Sequence, residues 1–458
     1  MTQTVWAKAL FVVIGLAVMT AGIPPVLADE LSELKSQLQR MEEQHQQEMA
    51  ALRKRLDLLE TQEHTRLAAK TPSASKDLTE KVAALEEDTG YLKDSQEALA
   101  ARLKQQLDMH LYATLAFDKF QERHASFNTQ KVELLASSYL TDQLKGFMEL
   151  EIENLATTEA GSRVGEISLE QGWVEYALND YLKPRAGVIL LPFGRFNLEH
   201  FDPFQELTGK PLSMQRVVPS EWADVGVGLT GTAPLGQLMG GRWLEDLTAN
   251  YQGFVVNGLT NEVTDTGLRD ARSAFGSDNN SNKALAGRLE ISPFAGQAVS
   301  FSGYFGTYDN NGHSINGVDT DVKLTKGPLE LVGEYALFHL QEGGFEADGT
   351  TAVPTTLRGG YVQASYHFWP SWLDGTFLRG HFQNPKLAAI VRYDQARISD
   401  DGDAGSGPNI EDGWTLGFNY RPVSTWVYKL EYQFHRSKTE ALNRGDSDGF
   451  VASVAAAF

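Results

Sequence analysis

From Met109 to Phe458 the chain alternates apolar and polar residues at period two. The rows Leu111, Ala113, Leu115, Phe117, then Met148, Leu150, Ile152, then Val299, Phe301, Gly303, Phe305 are each backed by a more polar opposite face. Trp414, Leu416, Phe418, Tyr420 are followed by Trp426, Tyr428, Leu430, Tyr432, Phe434, whose opposite face is Lys429, Glu431, Gln433 and His435. This period belongs to β-strands. A soluble sandwich turns its polar face to water, whereas here the apolar face would be the outer one of every strand. Aromatic residues also gather at strand ends, as in Tyr366, Phe368, Trp369 and Trp372, the pattern of a membrane-interface girdle. After residue 28 no apolar run approaches the roughly 20 residues of a membrane helix. Any membrane passage beyond that point therefore uses strands.

Connections of two lengths separate the alternating stretches. Short ones lie at 140–145, 179–184, 292–297, 325–327 and 422–425, and long polar ones at 154–165, 193–221, 257–282, 341–355, 398–411 and 438–448. Short turns facing the periplasm and long loops facing outward predict an all-β transmembrane barrel of about 16 antiparallel strands, even in number as closure requires. Two places resist the count. In LEQGWVEYAL, Glu170 and Glu175 cannot share a face without a bulge; and 369–385, rich in Trp and Phe, reads either as an interfacial excursion or as a further strand. The final stretch DGFVASVAAAF puts Phe458 and Val454 toward lipid and Ser453 inward, and pairs with MHLYATLAFDKF to close the sheet.

Ahead of the barrel, residues 1–28 read as a signal peptide, with Lys8, an apolar core and a small-x-small site at Val26-Leu27-Ala28. Residues 29–108 predict a periplasmic coiled coil. Leu31, Leu34, Leu38 and Met41 open a seam that stutters at His45, and TPSAS breaks the helix near 71–76. A second seam runs through Leu78, Val82, Leu85, Thr89, Leu92, Gln96, Leu99 and Leu103. So thin a helix must bury its stripe against other copies, or fold back as a hairpin. With no cysteine, disulfides and thiolate metal sites are excluded. The net charge of −20 argues against nucleic acid as a partner.

RAGVILLPFGRFNLEHFDPF, with a long loop leading to EWADVGVGLTG, together with LAAIVRYDQA, resembles the phosphate-selective porin O and P type of Gram-negative outer-membrane porins. The likeness covers roughly residues 109–458. It implies a trimeric sixteen-stranded barrel in the outer membrane, passing small hydrophilic solutes, with the third external loop folded inward as a constriction. That loop would be 193–221, carrying Arg195, His200, Asp202, Lys210 and Arg216 beside Glu199, Glu206 and Glu221. The terminal Phe458 resembles the signal read by the barrel-assembly machinery. Outer-membrane lipid, further copies of the chain and peptidoglycan are the remaining expected partners.

Strand parity selects the pore-lining candidates. The cations are Lys131, Arg185, Arg288, Lys323, Arg392, Arg421 and Lys429. The carboxylates are Glu133, Glu149, Glu151, Glu153, Asp224, Glu290, Asp319, Asp321, Glu330, Glu334, Asp394 and Glu431. A phosphate channel needs a ladder of Arg and Lys to replace the anion's hydration. Carboxylates outnumber cations here, so weak cation preference or little selectivity is expected instead. No catalytic constellation stands out, and no enzyme or cofactor is expected. The histidines form no H-E-x-x-H and no i, i+4 pair, so no metal site is expected either. The second function class left open is an envelope-tethering or ligand-specific barrel whose pore is closed.

Overall fold

The structure is a computed structural model that describes residues 107–458, apart from 122, 158–162, 240–245, 265, 273–274, 276–280, 400–408 and 439–446. The expected signal peptide and nearly all of the expected coiled coil lie outside the described residues, as does most of the acidic loop after Ser399.

Among the described residues, sixteen strands close into one antiparallel barrel. They are β1 (Leu107–Phe120), β2 (Ser126–Tyr139), β3 (Leu144–Thr157), β4 (Arg163–Tyr176), β5 (Lys183–Leu190), β6 (Ala223–Ala233), β7 (Thr248–Val256) and β8 (Ala284–Phe294). The second half comprises β9 (Gln297–Thr307), β10 (Ser314–Lys326), β11 (Leu329–Leu340), β12 (Thr356–Phe368), β13 (Lys386–Ser399), β14 (Asn409–Val423), β15 (Trp426–Ser437) and β16 (Ser447–Ala457). Every strand pairs with its sequence neighbours, and β16 returns to β1 with Tyr112 opposite Ala457 and Phe120 opposite Gly449. Closure leaves no row of unpaired backbone groups facing lipid, where each would cost several kcal/mol. β1 starts two residues before the expected boundary, because Leu107 and Asp108 already pair with Ser138 and Ser137.

Alternation places the side chains as the period-two pattern requires. In β1 the outward Leu111 is exposed, while the inward Tyr112, Thr114 and Ala116 are buried. Phe301, Phe305, Trp414, Leu416 and Phe418 form part of the apolar outer belt. In β4 the register shifts by one residue: Glu149 faces Gln171 while Leu150 faces Leu169, so Glu170 is the extra residue. This bulge returns Glu170 to the buried interior, which resolves the parity conflict with Glu175. The stretch 369–385 adds no strand. It is a connection with one turn of 3-10 helix at Ser371–Leu373, held by Trp369 Nε1 donating to Asp374 Oδ1 at 2.9 Å.

Candidate functional site

Between β5 and β6 the chain does not stay at the rim. Residues 191–222 enter the barrel, forming α1 (Arg195–Leu198) and α2 (Leu212–Arg216) on the way. Apolar sequence explains one side of this loop. Leu191, Phe193, Met214, Val217, Val218 and Trp222 pack with inward-facing Phe254, Tyr304, Phe338 and Leu357 into a dry cluster against the β6–β12 wall. The Phe193 ring lies 5.0 Å from Phe338, and Trp222 lies 4.9 Å from Tyr304. Gly194 has φ +77, and its Cα faces the Glu334 carboxylate so closely that a Cβ would collide with it. Glycine thus permits both the left-handed turn and the approach.

Polar groups fix the remaining sides. At the β8–β11 wall, Arg195 donates from Nε to Asp321 at 2.9 Å, from Nη2 to Glu290 at 2.9 Å and from Nη1 to Glu199 at 2.7 Å. Arg288 donates to the second oxygen of Asp321 at 2.5 Å and to Ser300 at 2.7 Å. The backbone N–H of Phe196 donates to Glu334 Oε2 at 2.9 Å, filling an orphan donor of α1. Lys323 reaches Glu199 at 3.2 Å. Asp319 is buried nearby, and neither of its oxygens has a hydrogen-bond partner among the described residues.

Across the barrel the wall charges serve the loop's backbone. Glu431 accepts from the N–H groups of Thr208 and Gly209, both at 2.9 Å. Asp394 accepts from the N–H of Leu212 at 3.1 Å, and Arg392 donates to the Gly209 carbonyl at 2.7 Å. Lys429 donates to the Asp202 carbonyl at 2.8 Å, Arg421 to that of Pro203 at 2.5 Å, and Arg216 pairs with Glu411 at 3.0 Å. An extended loop inside a barrel has no ladder to satisfy its peptide groups, and these side chains supply the missing partners. On the third side, Lys131 lies 2.5 Å from Glu133 and from Glu151, and 3.3 Å from Glu221, which Lys210 also meets at 2.7 Å. His200 comes within 3.4 Å of Glu149.

The inward residues expected from parity are thus all on the inner face, with different surroundings. Glu149, Glu151, Arg288, Asp319, Asp321, Arg392, Lys429 and Glu431 are buried, mostly beneath the loop. Asp224 is buried as well, accepting from the N–H of Gly258 at 2.6 Å. Glu153, Arg185, Glu290 and Lys323 keep partial exposure. Arg185 pairs with Glu175 at 2.7 Å and lies over the Trp173 ring, 3.9 Å from its centre. Parity missed Glu170, Glu175 and Glu411, and it gave no warning of the aromatic cluster. One signal was present: Phe254, Tyr304 and Phe338 interrupt the polar row of their strands.

Open space remains beside the loop. A cavity of about 770 Å³ at the long-loop end is lined by residues including Asp118, Arg123, Lys210, Arg216, Arg392 and Glu411. At the opposite end a space of about 380 Å³ is lined by residues including Glu175, Lys183, Arg185, Asn250 and Glu290.

A closed sixteen-stranded barrel with an apolar belt, a charged interior and a loop narrowing its lumen defines an outer-membrane channel of the porin class, through which small hydrophilic solutes diffuse passively. Over residues 100–458 the sequence matches the phosphate-selective porin O and P family, and the chain belongs to that family. A protein of Aquifex aeolicus (strain VF5) is 21% identical over 338 residues, covering 69% of this chain and 71% of its own. OmpF of Salmonella typhi, solved in complex with daunomycin, superposes with a TM-score of 0.52 at 12% identity, over 77% of this chain and 97% of its own. An anion-selective porin from Comamonas acidovorans aligns at 10% identity with a TM-score of 0.44, over 77% of this chain and all of its own.

Proposed function

We propose that this channel is weakly cation-preferring, and that the family's phosphate selectivity does not extend to it. The observation that carries this is the fate of the interior cations. Arg195 is surrounded by Asp321, Glu290 and Glu199, Arg288 by Asp321 and Glu290, and Lys131 by Glu133, Glu151 and Glu221. A cation neutralised by carboxylates in a buried site has little field left to draw an anion from water. Among the inward residues chosen by parity, twelve Asp and Glu stand against seven Lys and Arg, which favours a cation over an anion inside the barrel. Arg185, Arg288, Glu290, Lys323, Glu330, Arg392 and Asp394 are the members of the parity set that line the open spaces beside the loop. Planar-bilayer recording under a KCl gradient is expected to give a reversal potential of the sign for K⁺ over Cl⁻. A reversal of the opposite sign, or inhibition of the current by phosphate at low concentration, refutes the reading.

The same proposal assigns the assembly. Residues 29–106, up to the start of β1, form a coiled coil in the periplasm that joins three copies at their barrels or spaces them from peptidoglycan, and residues 1–28 direct export. Support comes from the seam Leu78 to Leu103, whose polar positions Thr89 and Gln96 suit a specified oligomer. Deleting residues 29–106 behind an intact signal peptide, which leaves β1 whole, is expected to lower the temperature at which trimers dissociate, or to release the protein from peptidoglycan. Unchanged trimer stability and unchanged attachment together refute both roles.

A further inference from the structure

On the β2–β3 side of the loop, Glu133, Glu149 and His200 meet away from the open cavities, at 0%, 0% and 3% exposure. One donor atom from each lies within 4.8 Å of those of the other two. Nδ1 of His200 is 3.0 Å from the carbonyl oxygen of Asn197, which can only accept, so the proton sits on Nδ1 and the imidazole donates. A neutral ring held this way presents its Nε2 lone pair, and a backbone carbonyl on the far nitrogen is the orienting bond that metal-bound histidines make. Here Nε2 faces Glu149 Oε1 at 3.4 Å. A lone pair pointed at a carboxylate oxygen in a dry site is repulsive, so either a proton on Nε2 or a metal ion lies between them.

The other groups leave that place to be filled. The second oxygen of Glu149 already accepts from Gln171 at 2.6 Å. Glu133 Oε2, Glu149 Oε1 and His200 Nε2 have no hydrogen-bond partner among the described residues. Charge gives the same indication. Five buried carboxylates, Glu133, Glu149, Glu151, Glu170 and Glu221, share this region with the ammonium groups of Lys131 and Lys210. Negative charge therefore exceeds positive charge in this region, which favours a bound cation.

We propose that Glu133, Glu149 and His200 bind a divalent transition-metal ion that fastens the inward loop to the β2–β3 wall. One imidazole nitrogen with two carboxylate oxygens is a donor set for a first-row ion such as Zn²⁺ or Co²⁺, while all-oxygen sites are the habit of Ca²⁺ and Mg²⁺. Sequence spacing could not show the site, because its residues come from two strands and a distant loop.

The test uses the folded full-length protein, stripped with a chelator and titrated with Co²⁺. One Co²⁺ per chain with a visible d–d absorption band, displaced by Zn²⁺, is the expected result. Glu133→Gln and Glu149→Gln keep side-chain shape and are expected to weaken binding by about tenfold or more, as is His200→Ala. Glu342→Gln, on an exposed loop, leaves binding unchanged. Heat-modifiable migration on a gel verifies that each variant is folded. The proposal is overturned if folded protein takes up no stoichiometric Co²⁺, as when protons alone balance the cluster, or if uptake persists in the Glu133→Gln, His200→Ala double variant. Because the readout is metal binding, it stands apart from any measurement of ion selectivity.

Discussion

Replacing residues 195–218 with a short glycine-serine linker is expected to raise single-channel conductance several-fold. This segment carries α1, α2 and the backbone stretch between them, and it lies inside the lumen. Its removal takes the loop's donors from Asp321, Glu334, Asp394 and Glu431, leaving them only wall partners such as Arg288 on Asp321 and Arg392 on Asp394. Those carboxylates would then face the water of a widened channel and be solvated there, so the barrel should still fold. Much of the buried aromatic cluster would also be lost, since Met214, Val217 and Val218 belong to it. Burial of each such side chain is worth about 1.5–3 kcal/mol. A lower unfolding temperature should therefore accompany the larger current. Unchanged conductance in a folded variant would place the ion path somewhere other than beside the loop.

Deleting Phe458 is expected to cut the yield of assembled barrel by about tenfold while leaving the conductance of the molecules that do fold unaltered. The residue sits beyond the β16 pairing but is still engaged. Its N–H donates to the Leu111 carbonyl at 2.7 Å, and its carbonyl accepts from the Leu111 N–H at 3.3 Å. The residue is 71% exposed, and by strand alternation its ring falls on the apolar outer face with Val454. Two backbone bonds at about 0.5–1.5 kcal/mol each, plus a lipid-facing ring, act at the β1–β16 seam that closes the barrel. Phe458→Ala retains the backbone bonds and separates the two contributions: an assembly defect as deep as that of the deletion assigns the effect to the ring. Normal yield from the deletion would remove any role for Phe458 in assembly.

Nearly everything about the wall was legible in the sequence, and little of what fills it. Strand count, inner and outer faces, the bulge near Glu170 and the β1–β16 seam follow from period two, because a strand's faces are fixed by its own local sequence. The interior has no such local code. Glu431 reads as one more wet carboxylate until the N–H groups of Thr208 and Gly209 are seen to converge on it. Arg195 and Asp321 are partners across 126 residues of sequence, and neither position carries a mark of the other. Carboxylates scored simply by parity were expected to meet water, whereas many meet peptide groups of the same chain. Phe254, Tyr304 and Phe338 show the limit most clearly, since their inward position was readable but the loop that covers them was not.

The loop's attachments also have a mechanical consequence. It leaves the wall at β5 and β6 and is bound again at β13, β14 and β15, nearly opposite around the ring. A hoop with such a spoke resists being squeezed into an oval, because flattening it along that diameter compresses the tie and widening it stretches salt bridges and peptide hydrogen bonds. The aperture should keep its area when lateral tension in the surrounding bilayer changes.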